Sequence, residues 1–196
     1  MILQKSFYAR DTAKVAKELL GKILVFKSPK GKISGKIVET EAYYGKRDPA
    51  SRAYRRKKSK AGMAAPMFRE VGTSFVYVVH ANALFNVIAK KGEAGGVLIR
   101  AVEPLEGIEI MFKNRGKVKL TELCSGPGKL TKAFGITQAH SGLDLTKKIS
   151  GLWIEEPKTK EEIKIARTHR IGVTRDLKRK LRFYIEGSPF VSKKFL

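Results

Sequence analysis

The sequence predicts an α+β fold, on three observations. Strand-like runs cluster in series, with helical segments between and around them, rather than alternating in a regular βαβ wind. At 196 residues the chain suits one domain spanning 1–196. Its 42% apolar content is enough to fill a core without staples at this length.

The elements follow in order. DTAKVAKELL, residues 11–20, predicts a helix. Asp11 caps it, Val15, Leu19 and Leu20 share a face, and Gly21 stops it. KILVFK, residues 22–27, predicts a buried strand; SPKG turns the chain, and KISGKIVETEAY, residues 32–43, returns as its hairpin partner. Residues 45–70 are expected to make a long, basic, mostly irregular excursion. GTSFVYVV (72–79) and ALFNVIA (83–89) predict strands joined through His80, Ala81 and Asn82. GGVLIRAVE (95–103) predicts the next strand. Pro104 is expected to open a helix with Leu105, Ile108, Met111 and Phe112 inward. A further helix is expected near residues 127–134, and RTHRIGV and LRFYIEG close the chain as strands.

Charge narrows the function. Lys and Arg total 41 against 18 acidic residues, a formal +23. Such a surplus repels itself in the compact state, and a polyanion is its usual complement. No apolar run approaches the roughly 18 residues that span a bilayer, and no signal-peptide core or lipidation motif is visible. The one cysteine, Cys124, excludes a disulfide framework and fits a reducing compartment. The expected location is cytoplasmic, at the nucleoid in a prokaryote.

Alternation along 37–43 sends Ile37, Glu39, Glu41 and Tyr43 one way and Val38, Thr40 and Ala42 the other. A solvent face would explain the acids; so would a site. The next strands put Phe75, Tyr77 and Val79 on one face, and Leu98, Arg100 and Val102 on one face against Val97, Ile99 and Ala101. Arg100 interrupts an apolar run, where arginine needs a partner. Glu103 or Glu106 would make that partnership structural; Glu41 or a substrate would make it functional. Asn86 either satisfies backbone groups or reads a ligand edge. The run Arg52, Arg55, Arg56, Lys57, Lys58 and Lys60 holds no acid, and phosphate contact is the expectation for it and for RDLKRKLR near 175. SGPGK lacks the spacing of a phosphate loop. His80, His140, His169 and Cys124 show no metal-ligand spacing, so neither metal nor cofactor is expected.

IVETEAYYG, FVYVV, VLIRAVEPLEG, LCSGPGKL and LRFYIEGSP, five motifs in order over essentially the whole chain, together resemble the alkyladenine (3-methyladenine) DNA glycosylase family. The resemblance implies a curved antiparallel sheet and excision of damaged purines from double-stranded DNA by a monomer. It implies Glu41 as the catalytic carboxylate, with Arg100 helping to hold the attacking water; on electrostatic grounds an adjacent Arg100 is also expected to keep Glu41 ionised. Tyr43 and Tyr77 match base-pocket aromatics, and Asn86 a pocket asparagine. Two positions depart from the pattern. Arg52 stands in PASRAY where the family has a histidine, and HANALFN is one residue shorter than the family's wedge hairpin, leaving His80 or Asn82 as the wedge. A non-catalytic nucleic-acid or damage-binding protein on the same fold is the alternative.

Overall fold

The computed structural model describes residues 1–55, 62, 64–92, 94–159 and 161–192. Its elements are α1 (Lys5–Tyr8), α2 (Thr12–Glu18), β1 (Ile23–Ser28), β2 (Gly31–Tyr44), β3 (Ser74–Val79), β4 (Asn82–Ile88), β5 (Gly95–Glu106), α3 (Ile108–Arg115), α4 (Pro127–Phe134), β6 (Leu152–Glu155), β7 (Ile165–Thr168) and β8 (Arg182–Ile185). The strands form one curved antiparallel sheet, ordered β3-β4-β5-β2-β1-β6, with β8 on β2 and β7 on β8. This is the expected α+β class.

Strand β2 is the spine. Strand β5 runs along one of its edges from Ser34 to Tyr44. Its other edge is divided: β1 pairs with Gly31–Lys36, and β8 pairs with Glu39–Glu41. Helix α2 covers one face of the sheet, where the Thr40 hydroxyl donates to the Ala16 carbonyl at 2.7 Å. The main apolar core lies on that side and includes Val15, Leu19, Ile37, Ala42, Val97, Ile99 and Val102. As expected, Asp11 caps α2, accepting from the Ala13 and Lys14 amides.

Strict alternation fails at one place. Ile37 pairs with Val102, Glu39 with Ala101 and Thr40 with Ile99, so Val38 and then Arg100 fall outside the register. Each is the extra residue of a bulge, and a bulge changes which face the following residues take. Ile37 therefore joins the main core with Ala42, while Val38 packs against Ala101 and Val191 in a small cluster. Likewise Val102 belongs with Val97 and Ile99, not with Arg100.

The strand-to-helix boundary also differs from expectation. Strand β5 continues through Pro104 to Glu106, and Pro104 sits at another register shift, opposite Gly35, where its missing N–H is tolerated. Gly107 makes the turn at φ 74°, and a Cβ there would lie 2.5 Å from the Lys32 carbonyl oxygen. Leu105 thus stays on the strand, 48% exposed, whereas Met111 is buried and Ile108 and Phe112 pack on the core. Strand β6, a short LWIE run beside β1, went unanticipated. The expected strand 167–173 ends at Thr168, which frees the next residues to turn toward β2.

Candidate active site

The two bulges bring Glu39 and Arg100 together. Glu39 is fully buried and its carboxylate is saturated. Oε1 accepts from Arg100 Nε at 2.9 Å, Arg182 Nε at 2.7 Å and the Ser192 hydroxyl at 2.8 Å; Oε2 accepts from the Ser192 amide at 2.6 Å. Burial alone would raise this carboxyl, but the Arg100 and Arg182 charges and the Ser192 amide outweigh it. Glu39 is held below the ordinary glutamate range.

Glu41, two residues on, is equally buried with weaker support. The Ile171 amide donates to Oε1 at 2.7 Å, and the Tyr43 hydroxyl donates to Oε2 at 2.7 Å. Arg100 Nη1 lies 3.3 Å from Oε2. Burial pushes the Glu41 carboxyl up; Arg100, the Ile171 amide and Tyr43 oppose it, and Glu39 adds to the rise. The net direction is upward. This corrects the expectation that Arg100 simply keeps Glu41 ionised: its guanidinium is shared with Glu39.

All three partners of Glu41 line one cavity of about 600 Å³, together with Arg52, Tyr77 and His80. Each of its two tyrosines carries an arginine on a ring face. Arg170 lies 4.6 Å from the Tyr43 ring centre and Arg52 lies 4.0 Å from that of Tyr77. Tyr77 is also backed by Phe75, 5.0 Å between ring centres.

Arg170 is the residue the sequence reading missed. Its Nη1 and Nη2 each donate to Asp48 at 2.7 Å, as a fork, and Nη2 also reaches Asp176 at 2.6 Å. Nη1 further donates to the Ala42 carbonyl at 2.9 Å. Arg170 so fastens its neighbour Ile171 against Glu41, and through Asp48 it fastens the segment that carries Arg52. In THRIGV it follows His169 and precedes Ile171, so it lacks the apolar run on both sides that drew attention to Arg100.

Other expected residues fall differently. Asn86 is buried and donates to the Phe75 and Leu84 carbonyls at 3.1 and 3.2 Å, the backbone-satisfying alternative, and it is not among the residues that line the cavity. His80 and Ala81 form the β3–β4 turn with φ of 46° and 62°, the positive pair that a two-residue hairpin turn demands. Asn82 is the first residue of β4, not part of the turn. It donates to the His80 carbonyl at 2.9 Å and packs against Gly128, where a Cβ would come 2.9 Å from it. Arg55 is exposed. Arg56, Lys57, Lys58 and Lys60 lie outside the described residues. Among the described residues no three His, Cys, Asp or Glu side chains are placed to hold a metal ion, and no helix is long and apolar enough to cross a membrane.

A buried carboxylate behind a cavity walled by aromatics and arginines, in a strongly basic chain, has the character of a site that acts on a nucleobase. Comparison with known proteins gives the class: a family model described as methylpurine-DNA glycosylase matches residues 6–189. The protein is thus of the DNA glycosylase class, in base-excision repair. More particularly, the chain belongs to the methylpurine-DNA glycosylase family. It is 44% identical to a Clostridium tetani protein over 99% of this chain and 100% of that one. It is 43% identical to a Mesorhizobium japonicum protein (93% and 86% covered) and 43% identical to one from Prosthecochloris aestuarii (96% and 90%). All three carry the name "Putative 3-methyladenine DNA glycosylase".

Proposed function

We propose that this chain turns a damaged purine out of duplex DNA into the cavity beside Tyr43 and Tyr77 and hydrolyses its N-glycosidic bond with water activated by Glu41. An abasic site is left. The observation that carries the reading is that Glu41 is buried, its carboxyl pushed up by that burial, and held by three groups that all line the cavity.

A base within the duplex stack is out of reach, and extruding it costs a few kcal/mol, least where the base is damaged. His80 is proposed as the wedge at the strained hairpin tip, with Asn82 buttressing it. Stacking on Tyr43 or Tyr77 returns roughly 1–3 kcal/mol. Bond cleavage builds positive charge on the sugar. Ionised Glu41 offsets that charge and accepts the proton of the attacking water, with Arg100 as its neighbour. Water, and no lysine Schiff base, makes the enzyme monofunctional. Arg55 and the basic segment after it supply phosphate contacts.

Arg52 bears on substrate choice. A guanidinium plane against Tyr77 disfavours a cationic alkylated purine and tolerates a neutral one such as hypoxanthine or ethenoadenine. The relatives' name points instead to 3-methyladenine, so the panel must include both kinds.

The test is single-turnover incubation with duplexes bearing hypoxanthine, ethenoadenine, 3-methyladenine or 7-methylguanine. The wild-type protein excises at least one base. Glu41→Gln still binds that duplex but loses about 10²–10⁴-fold in rate. Undiminished excision by Glu41→Gln removes Glu41 from the mechanism, and borohydride trapping of a covalent complex would contradict the hydrolytic route.

A further inference from the structure

We propose that a cationic groove on the opposite face of the sheet from the cavity is a second binding site for the phosphate backbone, one that holds a second segment of duplex DNA. The groove encloses about 620 Å³. Helix α2 contributes Lys14 and Lys17, β7 contributes Arg167, and the approach to β8 contributes Lys178, Arg179 and Lys180.

Register fixes the face. Arg167 pairs with Phe183, and Phe183 pairs with Thr40. Residues paired across an antiparallel ladder share a face, and Thr40 is the residue that bonds α2. Glu41 and Tyr43 leave β2 by the other face. Lys14 and Lys17, three apart, lie on one side of α2. The groove therefore cannot meet the phosphates that flank a base in the cavity.

Pairing marks it out further. Lys22, Lys32 and Lys36 each hold a glutamate, at 2.6, 2.8 and 3.0 Å. Among the described residues, none of the six groove cations forms an ion pair with a carboxylate. The nearby acids are engaged elsewhere: Asp11 caps α2 and accepts from the Tyr44 hydroxyl, and Glu18 pairs with Arg10 at 2.8 Å. Six like charges around one concavity repel unless an anion is supplied. A ligand that spans α2, β7 and the β8 approach must itself be an extended polyanion. An anionic membrane fits less well, because surface binding to lipid combines basic residues with inserted apolar ones. Among the described residues the large exposed apolar side chains are Met1, Val78, Leu105, Leu120 and Ile149, and none lines the groove.

The choice of DNA as the polyanion rests on the proposed function. The readout does not: it is the number of short undamaged duplexes bound per protein, by fluorescence anisotropy and sedimentation. Two are expected for the wild-type protein and one for Lys14→Ala/Lys17→Ala/Arg167→Ala. In the wild-type protein the second, weaker affinity should carry a salt slope of at least about 2.7, the share of those three cations. Single-turnover excision from a short damaged duplex should stay within about twofold in that variant, since the cavity's own contacts are untouched. The charge-preserving Lys14→Arg/Lys17→Arg/Arg167→Lys should still bind two. One duplex per wild-type protein overturns the proposal. So does parallel loss of excision in the alanine variant, or capture of phosphatidylserine vesicles without a second duplex. If no protein excises any base while two duplexes bind, the glycosylase reading fails and the groove stands.

Discussion

Glu39 and Glu41 stand two residues apart on one strand, both fully buried, yet their surroundings drive them in opposite directions. Glu39 is enclosed by Arg100, Arg182 and both donors of Ser192 and is held low. Glu41 shares one arginine at 3.3 Å, adds an amide and a hydroxyl, and is pushed up. Two like groups whose environments separate their acidities have separate roles. Glu39 is a fixed anion that neutralises and aims Arg100. Glu41 is the carboxylate whose burial makes it the more readily protonated of the two.

The largest expected effect breaks the pair by one identical substitution. Glu39→Gln takes from Arg182 the carboxylate to which its Nε donates and leaves Arg100 to Glu41, and breaking a buried pair in this way costs about 3–5 kcal/mol. For a chain of this size that lowers Tm by at least about 6 °C. Glu41→Gln removes a charge that burial already disfavours, so its stability should equal or exceed that of the wild-type protein. Thermal and urea unfolding of both variants measures the difference. Equal losses would mean that the two acids are equivalent in the folded protein.

A smaller effect is expected one layer out. Arg170→Lys keeps the charge but not the fork that grips Asp48. Ile171 should then hold Glu41 less firmly. Single-turnover excision at saturating protein should fall on the order of tenfold, short of the 10²-fold that a 1 Å misplacement brings. Because the Ile171 amide opposes the rise of the Glu41 carboxyl, loosening it should move the acid limb of the pH profile upward. A variant with reduced stability but unchanged rate and unchanged limb would reduce Arg170 to a structural clamp.

These contrasts also mark what the sequence could show. Local signals were enough for the β1–β2 and β3–β4 hairpins, for α2 with its Asp11 cap and for α4. The motif resemblance picked out Tyr43, Tyr77 and Arg100, which line one cavity, and Glu41, which lies buried behind it with partners that line it. Alternation misplaced Ile37, Val38, Ala101 and Val102, because a bulge is an event between two strands and leaves no mark on either alone. Pro104 reads as a helix start in isolation; only its register opposite Gly35 shows a strand irregularity. The roles of Glu39 and Arg170 depend on partners 143 and 122 positions away, distances at which no spacing rule operates. Asn86 shows the converse, since two nearby carbonyls were enough to account for its amide.

The smallest effect, and the finest test of the contrast, is the pH dependence of excision. As the proposed base, Glu41 must be ionised to accept a proton, so the rate should rise as pH rises through its acidity and then level off. Burial raises that acidity, which places the acid limb above the ordinary glutamate value of 4.5. Glu39, held low, stays charged throughout this window and contributes nothing to the limb. Tyr43→Phe deletes the 2.7 Å hydroxyl donor that helps to stabilise the ionised form. It should shift the limb further upward while leaving an aromatic face for stacking. The shift is read from single-turnover rates at saturating protein, which separates it from any change in affinity. A limb at or below 4.5, or one that moves down in Tyr43→Phe, would show that Glu41 is ionised more easily than its burial implies and that the two acids differ less than their contacts indicate.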